Sequence, residues 1–165
     1  GDGALIRSVI KELRSIDGMA IRSTAIVGFP TETDEEFTEL CEFIKEAKFD
    51  RFGAFTYSPE EGTAAAEMED QIDEQVKQDR MDILMRTQMN INTARNESRI
   101  GSVITVLCEA YDPVNECYYG RSSEDAPDID GKVFIQARKG TLCEGDILKV
   151  QIIEALDYDL IASLI

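Results

Sequence analysis

Apolar and charged positions alternate with a helical period at the beginning of the chain. The apolar positions of residues 4–16 are Leu5, Ile6, Val9, Ile10, Leu13 and Ile16. This spacing predicts an amphipathic helix that ends near Asp17 and Gly18. A second helix is predicted after Thr33, because a threonine followed by three acidic residues is typical of a capped helix start. Its apolar face consists of Phe37, Leu40, Cys41, Ile44 and Ala47.

Each of these helices is followed by a β-type segment. Residues 20–28 (AIRSTAIVG) and 49–57 (FDRFGAFTY) are rich in the β-branched and aromatic residues that favour strands. The order helix, strand, helix, strand predicts a parallel sheet of the α/β type. With a period of two, one face of the first strand carries Arg22, Thr24, Ile26 and Gly28.

The pattern changes after residue 70. Residues 71–97 form a long, highly charged segment with helical apolar spacing, which predicts a connecting helix. Beyond residue 100, Gly-, Asn- and Asp-containing turns separate β-rich runs at 102–111, 117–121, 131–137 and 146–156. About five strands in about 65 residues predict a small antiparallel barrel of the oligonucleotide-binding kind.

The charge of the chain restricts its partners. It carries 33 acidic and 17 basic residues, a net charge of −16, and residues 98–165 alone carry a net charge of −6. Such a surface repels phosphate backbones and anionic lipids and favours a basic partner. No apolar stretch suits a membrane span and no signal-peptide pattern opens the chain, so we expect a cytoplasmic protein. Because the chain begins with glycine and ends in an apolar run, we also expect a fragment of a longer protein.

The histidine and cysteine content restricts the kinds of catalysis and metal binding that the chain can support. The chain contains no histidine, which excludes histidine-based nucleophilic catalysis and histidine metal ligation. Its four cysteines, Cys41, Cys108, Cys117 and Cys143, lack the short spacing of a zinc or iron–sulfur site. We therefore predict no catalytic residue and no metal ligand in this chain, and we expect Cys41 and Cys108 to be small buried hydrophobic residues.

Two loops leave the carboxyl ends of the predicted parallel strands. Residues 28–33 follow the first strand, and residues 57–63 (YSPEEGT) follow the second. Carboxyl ends of parallel strands meet at one edge, so these loops form one candidate site. The alternatives are structural: Gly28 is then a turn glycine before a capped helix, and Glu60 and Glu61 belong to a solvated acidic turn.

The predicted barrel contains two candidate binding features. Tyr118, Tyr119 and Arg121 lie together, and aromatic residues beside arginine stack on RNA bases in many proteins. The following loop concentrates carboxylates, which attract a lysine- and arginine-rich protein and repel RNA. Its carboxylates are Glu124, Asp125, Asp128 and Asp130. The net negative charge of the barrel favours a basic protein as its partner.

Three motifs together resemble a known family. They are IVGFPTET at residues 26–33, YSPEEGT at 57–63 and YYGRSSEDAPDIDG at 118–131. These motifs are similar to the C-terminal half of radical S-adenosylmethionine methylthiotransferases, and the resemblance covers essentially the whole chain. The EEGT loop and the GRSSEDAPDIDG segment resemble the branch that modifies an aspartate of the small-subunit ribosomal protein at the decoding centre. The tRNA-modifying branch usually has a basic residue in the loop that corresponds to EEGT.

The resemblance implies a domain organisation. Residues 1–70 are expected to be part of a radical-SAM α/β barrel, which is TIM-like but incomplete. Residues 71–99 are expected to be a connecting helix, and residues 100–165 a five-stranded antiparallel TRAM barrel similar to an oligonucleotide-binding fold. The fold class is therefore α/β followed by all-β.

The resemblance also implies binding residues. Those expected to lie against S-adenosylmethionine are Arg22, Thr24, Ile26, Gly28, Phe29, Phe55 and Tyr57. Those expected to bind the substrate are Glu60, Glu61, Tyr119, Arg121, Asp125, Asp128 and Asp130. Thr31 stands where glycine is common in the family, in a turn that is usually tight.

The family uses S-adenosylmethionine and two 4Fe-4S clusters, one of them held by a CxxxCxxC motif that this chain lacks. The intact protein is thus expected to be an enzyme, whereas this chain alone is expected to bind no cofactor and to be inactive. The expected partner is a basic small-subunit ribosomal protein or the ribosomal subunit, with RNA as an alternative and no membrane. The competing hypotheses are a fragment of a tRNA methylthiotransferase and a non-enzymatic TRAM-type adaptor for protein or RNA. The sequence predicts no oligomeric state.

Overall fold

The computed structural model describes residues 2–165 and divides the chain into two compact units, Gly1–Ile91 and Asn92–Ile165. The first unit contains helix α1 (Gly3–Arg14), strand β1 (Arg22–Val27), helix α2 (Asp34–Ala47) and strand β2 (Arg51–Thr56). Helix α3 (Glu74–Ser98) begins in the first unit and ends in the second. No described helix is both long and apolar enough to span a bilayer. The predicted domain limits at residues 70 and 99 stay a prediction.

The two strands of the first unit pair in parallel, as the order of elements predicts. The register runs from Arg22 opposite Arg51 to Val27 opposite Thr56. Helix α2 forms the connection, and it begins with the predicted capping box, in which the Thr33 and Glu36 side chains each accept a hydrogen bond from the other residue's backbone N–H. The chain therefore crosses over through a well-capped helix between two parallel strands.

One face of this small sheet packs against the helices. The buried core of the unit consists of Ile21, Val27, Ile44, Ala47, Phe49, Ala54 and Leu84. The other face is open: Arg22 and Thr24 are exposed, Ile26 is 59% exposed, and its neighbour across the sheet, Phe55, is 62% exposed. The sheet thus presents apolar side chains on its uncovered face.

The second unit is built on a closed barrel of five strands. They are β3 (Val103–Asp112), β4 (Cys117–Ser122), β5 (Val133–Gln136), β6 (Ile147–Ala155) and β7 (Leu160–Leu164), in the spatial order β3-β4-β5-β7-β6. Alternate residues fill its core, among them Val106, Tyr118, Ile135, Val150 and Ala162. The five-stranded barrel is as expected, and β7 extends the strand pattern beyond the runs recognised in the sequence.

The prediction of a fully antiparallel barrel is wrong. Strands β5 and β7 pair in parallel, from Val133 opposite Leu160 to Gln136 opposite Ser163, whereas the other four pairs are antiparallel. The reason is geometric. Strands that alternate in direction around a closed ring must be even in number, so a ring of five contains at least one parallel pair.

Candidate functional site

The turns after β1 and β2 lie side by side, as their positions at the carboxyl ends of parallel strands predict. The Tyr57 N–H donates to the Val27 carbonyl at 2.8 Å, which joins the end of one strand to the residue after the other. The rings of Phe29 and Tyr57 meet edge to face with 5.2 Å between their centroids. The hydroxyl oxygen of Tyr57 is buried and has no hydrogen-bond partner in the described part of the chain.

Gly28 is required by a contact with the chain itself. Its φ of +72° lies in the left-handed region, and a Cβ added there would lie 2.3 Å from Cγ of Lys77. Lys77 is only 1% exposed. Its ammonium donates to the Tyr57 carbonyl at 3.2 Å and to Glu74 at 2.5 Å, and it lies 5.4 Å from the Tyr57 ring centroid. Lys77 therefore contacts both strand-end turns.

Sequence reasoning missed Lys77. It lies on a helix whose charged residues are mostly exposed, and its burial depends on how that helix meets Gly28, which is distant in the chain. No local pattern distinguishes it from the neighbouring lysines and arginines.

The turn at residues 29–32 holds Thr31 in a left-handed conformation with a φ of 73°. The Glu32 N–H donates to the Phe29 carbonyl at 2.9 Å, and the Thr31 N–H donates to the Asp70 carbonyl at 3.0 Å. Proline followed by a residue of positive φ is the arrangement of a type II turn, in which glycine normally takes the second of the two places. The turn is thus tight here despite the threonine.

Arg80 fixes the same turn from α3. Its guanidinium donates to Glu32 at 2.6 Å and to Asp34 at 2.7 Å, and the Glu32 carboxylate also accepts from the Gly28 N–H at 3.1 Å. Burial acts to lower the pKa of Arg80, but the hydrogen bonds to Asp34 and Glu32 outweigh it and raise that pKa. The charged network makes the turn between β1 and α2 rigid.

The predicted S-adenosylmethionine residues therefore fall into two groups. Gly28, Phe29 and Tyr57 meet at the strand ends, whereas the others lie on the open face of the sheet. The residues on the open face are Arg22, Thr24, Ile26 and Phe55. Glu60 and Glu61 are exposed, and neither carboxylate makes a hydrogen bond or ion pair in residues 2–165. Their surroundings match the solvated acidic turn.

In the barrel, two glycines of the YYGRSSEDAPDIDG segment are fixed by backbone contacts. A Cβ on Gly120 would lie 2.0 Å from the Leu107 carbonyl oxygen, and one on Gly131 would lie 1.9 Å from the Tyr158 carbonyl oxygen. Gly120 lies opposite a β-bulge between Cys108 and Ala110, where the strands approach closely. These two glycines are therefore structural.

The four carboxylates of the acidic loop do not form one open patch. Asp125 is buried and accepts from the Ser122 hydroxyl and backbone N–H at 2.6 and 3.0 Å. Asp130 accepts from the Ala126 N–H at 2.6 Å, and Glu124 pairs with Arg95 of α3 at 2.8 Å and with Arg99, just after α3, at 3.2 Å. Asp128 is exposed and makes no hydrogen bond or ion pair among the described residues. The sequence alone does not show that three of the four acidic side chains form hydrogen bonds or ion pairs within the chain.

Two clefts open on the outside of the barrel. The first, the acidic cleft, has a volume of about 160 Å³ and is lined by Glu109, Tyr119, Arg121, Asp128, Asp130 and Lys132 among others. The structure thus brings together four of the predicted substrate-binding residues. The second, the apolar cleft, has a volume of about 570 Å³ and is lined by Phe134, Leu156 and Ile161, with Asn115, Gln136 and Arg138 among its polar groups. None of its residues was predicted as a site, because they come from separated strands and loops.

The cysteines remain dispersed. No group of three or more cysteine or acidic side chains in residues 2–165 is close enough to hold a metal ion. Burial raises the pKa of Cys41, of Cys108 and of Cys117, which keeps these thiols protonated at neutral pH.

Part of the chain matches a known domain family, and nearly the whole chain is similar to a group of proteins that share one name. Residues 100–165 match the TRAM domain family. The whole chain is similar to proteins named ribosomal protein uS12 methylthiotransferase RimO: it is 47% identical to that of Geotalea uraniireducens over 98% of the chain, and 50% identical to that of Desulforamulus reducens over 96%. The chain corresponds to the C-terminal region of RimO-family sequences. It spans about a third of the length of these relatives, covering 36% of each.

The chain is also 47% identical to the protein of that name from Caldanaerobacter subterraneus over 96% of the chain, and it again covers 36% of that relative. The barrel described above lies within the residues that match the TRAM domain family.

Proposed function

We propose that this chain is part of an enzyme that adds a methylthio group to an aspartate of ribosomal protein uS12. The observation that carries the proposal is the similarity to proteins of that name, which extends over both compact units rather than the TRAM domain alone. The match to the EEGT loop and to the YYGRSSEDAPDIDG segment favours this substrate over tRNA.

The first unit is proposed to be part of a radical-SAM barrel. Its two parallel strands carry their helices on one face and leave apolar side chains exposed on the other, where a barrel has its interior. S-adenosylmethionine would supply the methyl group and the radical chemistry. Phe29, Tyr57 and the open sheet face would bind it, and the Tyr57 hydroxyl, for which residues 2–165 provide no hydrogen-bond partner, is a polar group at the same edge.

The iron–sulfur clusters of such an enzyme are assigned to other parts of the intact protein. This chain alone is expected to bind no cluster, because its cysteines are dispersed and three of them have raised pKa values. Anaerobic reconstitution with iron and sulfide, followed by visible spectroscopy, should therefore show no charge-transfer band. Stoichiometric iron and sulfide whose absorption disappears on changing Cys41 or Cys108 would contradict this expectation.

The TRAM barrel is proposed to recognise the substrate, a basic protein. Its residues carry a net negative charge, and Asp128 presents an unpaired carboxylate on the rim of the acidic cleft. Charge complementarity would speed the encounter with uS12 and oppose the binding of RNA.

Mass spectrometry of uS12 tests the proposed activity. Cells that produce the intact protein should contain uS12 with a methylthio group on one aspartate, and deletion of the gene should remove it. An otherwise intact protein without residues 100–165 should restore little of the modification. Unmodified uS12 together with a methylthio group on tRNA would place the protein in the tRNA-modifying branch.

A further inference from the structure

A strip of three side chains crosses the outside of the barrel. Tyr119 of β4 pairs with Phe134 of β5, and Phe134 pairs with Ile161 of β7, so the three residues are direct neighbours on adjacent strands. The residues on either side of Phe134 and Ile161 are buried in the core, as is Tyr118 beside Tyr119. All three strip residues are only partly buried. The barrel therefore presents a continuous aromatic and aliphatic strip to solvent.

The two clefts lie at the two ends of this strip. Tyr119 lines the acidic cleft, whereas Phe134 and Ile161 line the apolar cleft. The strip spans two strand spacings, a distance of about 10 Å. A ligand that follows it would contact a charged cleft at one end and an apolar cleft at the other.

We propose that this strip is the docking surface for an extended segment of a lysine- and arginine-rich protein. A basic side chain of that segment binds in the acidic cleft, and an apolar side chain three or four residues away binds in the apolar cleft. This inference rests on the proposed function, since it specifies where the barrel contacts uS12.

The acidic cleft already holds a cation against an aromatic ring. The Lys132 ammonium lies 4.1 Å from the centroid of Tyr119, and the Arg121 guanidinium donates to Glu109 at 2.9 Å. The exposed carboxylate of Asp128 remains available beside them. The three carboxylates of this cleft, Glu109, Asp128 and Asp130, outnumber its two cations, Arg121 and Lys132. A lysine or arginine of a partner would find the Asp128 carboxylate, and the net negative charge of the cleft favours such a cation over a phosphate.

The apolar cleft suits a peptide segment rather than a single small group. Its volume of about 570 Å³ accommodates a large side chain together with backbone. Asn115 and Gln136 lie on its lining. The Gln136 amide offers a donor and an acceptor for peptide groups, and Asn115, whose amide nitrogen already donates to Asp112 at 2.7 Å, offers its oxygen as an acceptor. These polar groups beside an apolar floor are what an extended segment requires.

Chemical-shift mapping of the isotope-labelled chain with purified uS12 tests the location of the surface. The backbone amides of Tyr119, Phe134 and Ile161 should show the largest shifts, with smaller changes on the β6 side of the barrel. The experiment is performed at one moderate salt concentration, and a single-stranded RNA oligonucleotide is titrated in parallel.

Two pairs of variants test the energetics. Leu156 lines the apolar cleft and is 39% exposed, whereas Ile153 is 41% exposed and lies outside that lining. Leu156→Ala should weaken uS12 binding about fivefold or more, and Ile153→Ala by less than about twofold, as expected for a contact and a non-contact residue. Likewise Asp128→Asn should weaken binding, and the exposed Asp157→Asn should not.

The outcomes separate the inference from the proposed function. If uS12 binds with shifts centred elsewhere, and both members of each pair behave alike, the docking surface is wrong while recognition of uS12 by the barrel stands. If uS12 does not bind at all, recognition by the barrel fails and the surface fails with it. If the RNA oligonucleotide shifts the strip residues and binds more tightly than uS12, the strip is an RNA surface and the inference is overturned.

Discussion

Two residues just after β1 have a left-handed backbone conformation, and only one of them is a glycine. Gly28 and Thr31 both have positive φ, of 72° and 73°. Glycine adopts this conformation without a steric cost, whereas a β-branched residue does not. Thr31 is held there by the hydrogen bonds of the turn and by the carbonyl of Asp70.

Replacing Thr31 by glycine should therefore stabilise the first unit. The left-handed conformation costs a non-glycine residue about 1–2 kcal/mol, part of which is offset by the greater entropy of glycine in the unfolded chain. We expect a net gain of about 0.5–1 kcal/mol in the free energy of opening, measured by hydrogen exchange at the Glu32 amide. The control Thr31→Ala keeps the strain and should give a smaller gain. Equal effects of both variants would show that the threonine side chain, not its φ, is responsible.

Gly28→Ala should destabilise the first unit for two separable reasons. The added Cβ would collide with the Lys77 side chain, and the left-handed φ would become strained. In a double-mutant cycle with Lys77→Ala, the collision with Cγ at 2.3 Å is removed, a close contact of 3.1 Å with Cβ of residue 77 stays, and the strain remains. We expect a coupling of about 1–3 kcal/mol between the two positions in urea unfolding followed by circular dichroism. Strict additivity would show that Lys77 moves aside without cost.

At the scale of elements, the YYGRSSEDAPDIDG segment both holds the barrel together and lines the acidic cleft. Gly120, Asp125 and Gly131 hold the loop and the bulge in place, and Tyr119 and Asp128 face the acidic cleft. A motif of this length is therefore explained by the demands of the barrel as much as by a ligand.

Gly120→Ala should disrupt the barrel. A Cβ 2.0 Å from the Leu107 carbonyl oxygen can be accommodated only if the backbone of β3 or β4 shifts. We expect a loss of about 2 kcal/mol or more in thermal unfolding of the second unit. Gly53→Ala, followed in the unfolding of the first unit that contains it, is the control, because Gly53 also lies in a strand but has open space around the new methyl group. A cost for Gly53→Ala as large as that for Gly120→Ala would contradict the steric explanation.

The turn between β3 and β4 should respond to acid. Asp112 accepts from the Asn115 side chain at 2.7 Å and from the Val114 and Asn115 N–H groups at 2.8 and 3.2 Å, and these hydrogen bonds lower its pKa. A lowered pKa means that the carboxylate stabilises the turn above the ordinary pKa of aspartate, and that this contribution is lost as the pH falls through the lowered value. An NMR titration of Asp112 should give a pKa below the ordinary value of aspartate, and Asn115→Ala should raise it. A pKa for Asp112 that is insensitive to Asn115 would refute the assignment.

The sequence predicts elements better than it predicts contacts between them. The apolar spacing of α1 and the capping box at Thr33 are local, so both could be read directly. The parallel pair β5–β7 could not, because strand direction depends on closure of the whole ring. The strand-end turns were found because parallel strands share an edge, whereas Lys77 depends on the packing of a distant helix.

At the scale of the whole molecule, the acidic residues differ in the distance over which they act on a partner. The net charge of −16 favours a basic partner at long range. Locally, three of the four carboxylates in the acidic loop bond to the chain itself, so the proposed short-range attraction of a basic partner rests on Asp128 and the cleft beside it. Substituting all the loop carboxylates together would therefore confuse folding with binding.

Comparing the affinities for uS12 and for RNA tests the central claim, that the barrel recognises a basic ribosomal protein. Labelled chain is titrated with purified uS12 and separately with a tRNA anticodon stem-loop at the same moderate salt concentration. We expect uS12 to bind more tightly and its affinity to fall with Asp128→Asn but not with Asp157→Asn. Tighter binding of the stem-loop, strengthened by Asp128→Asn, would contradict the claim.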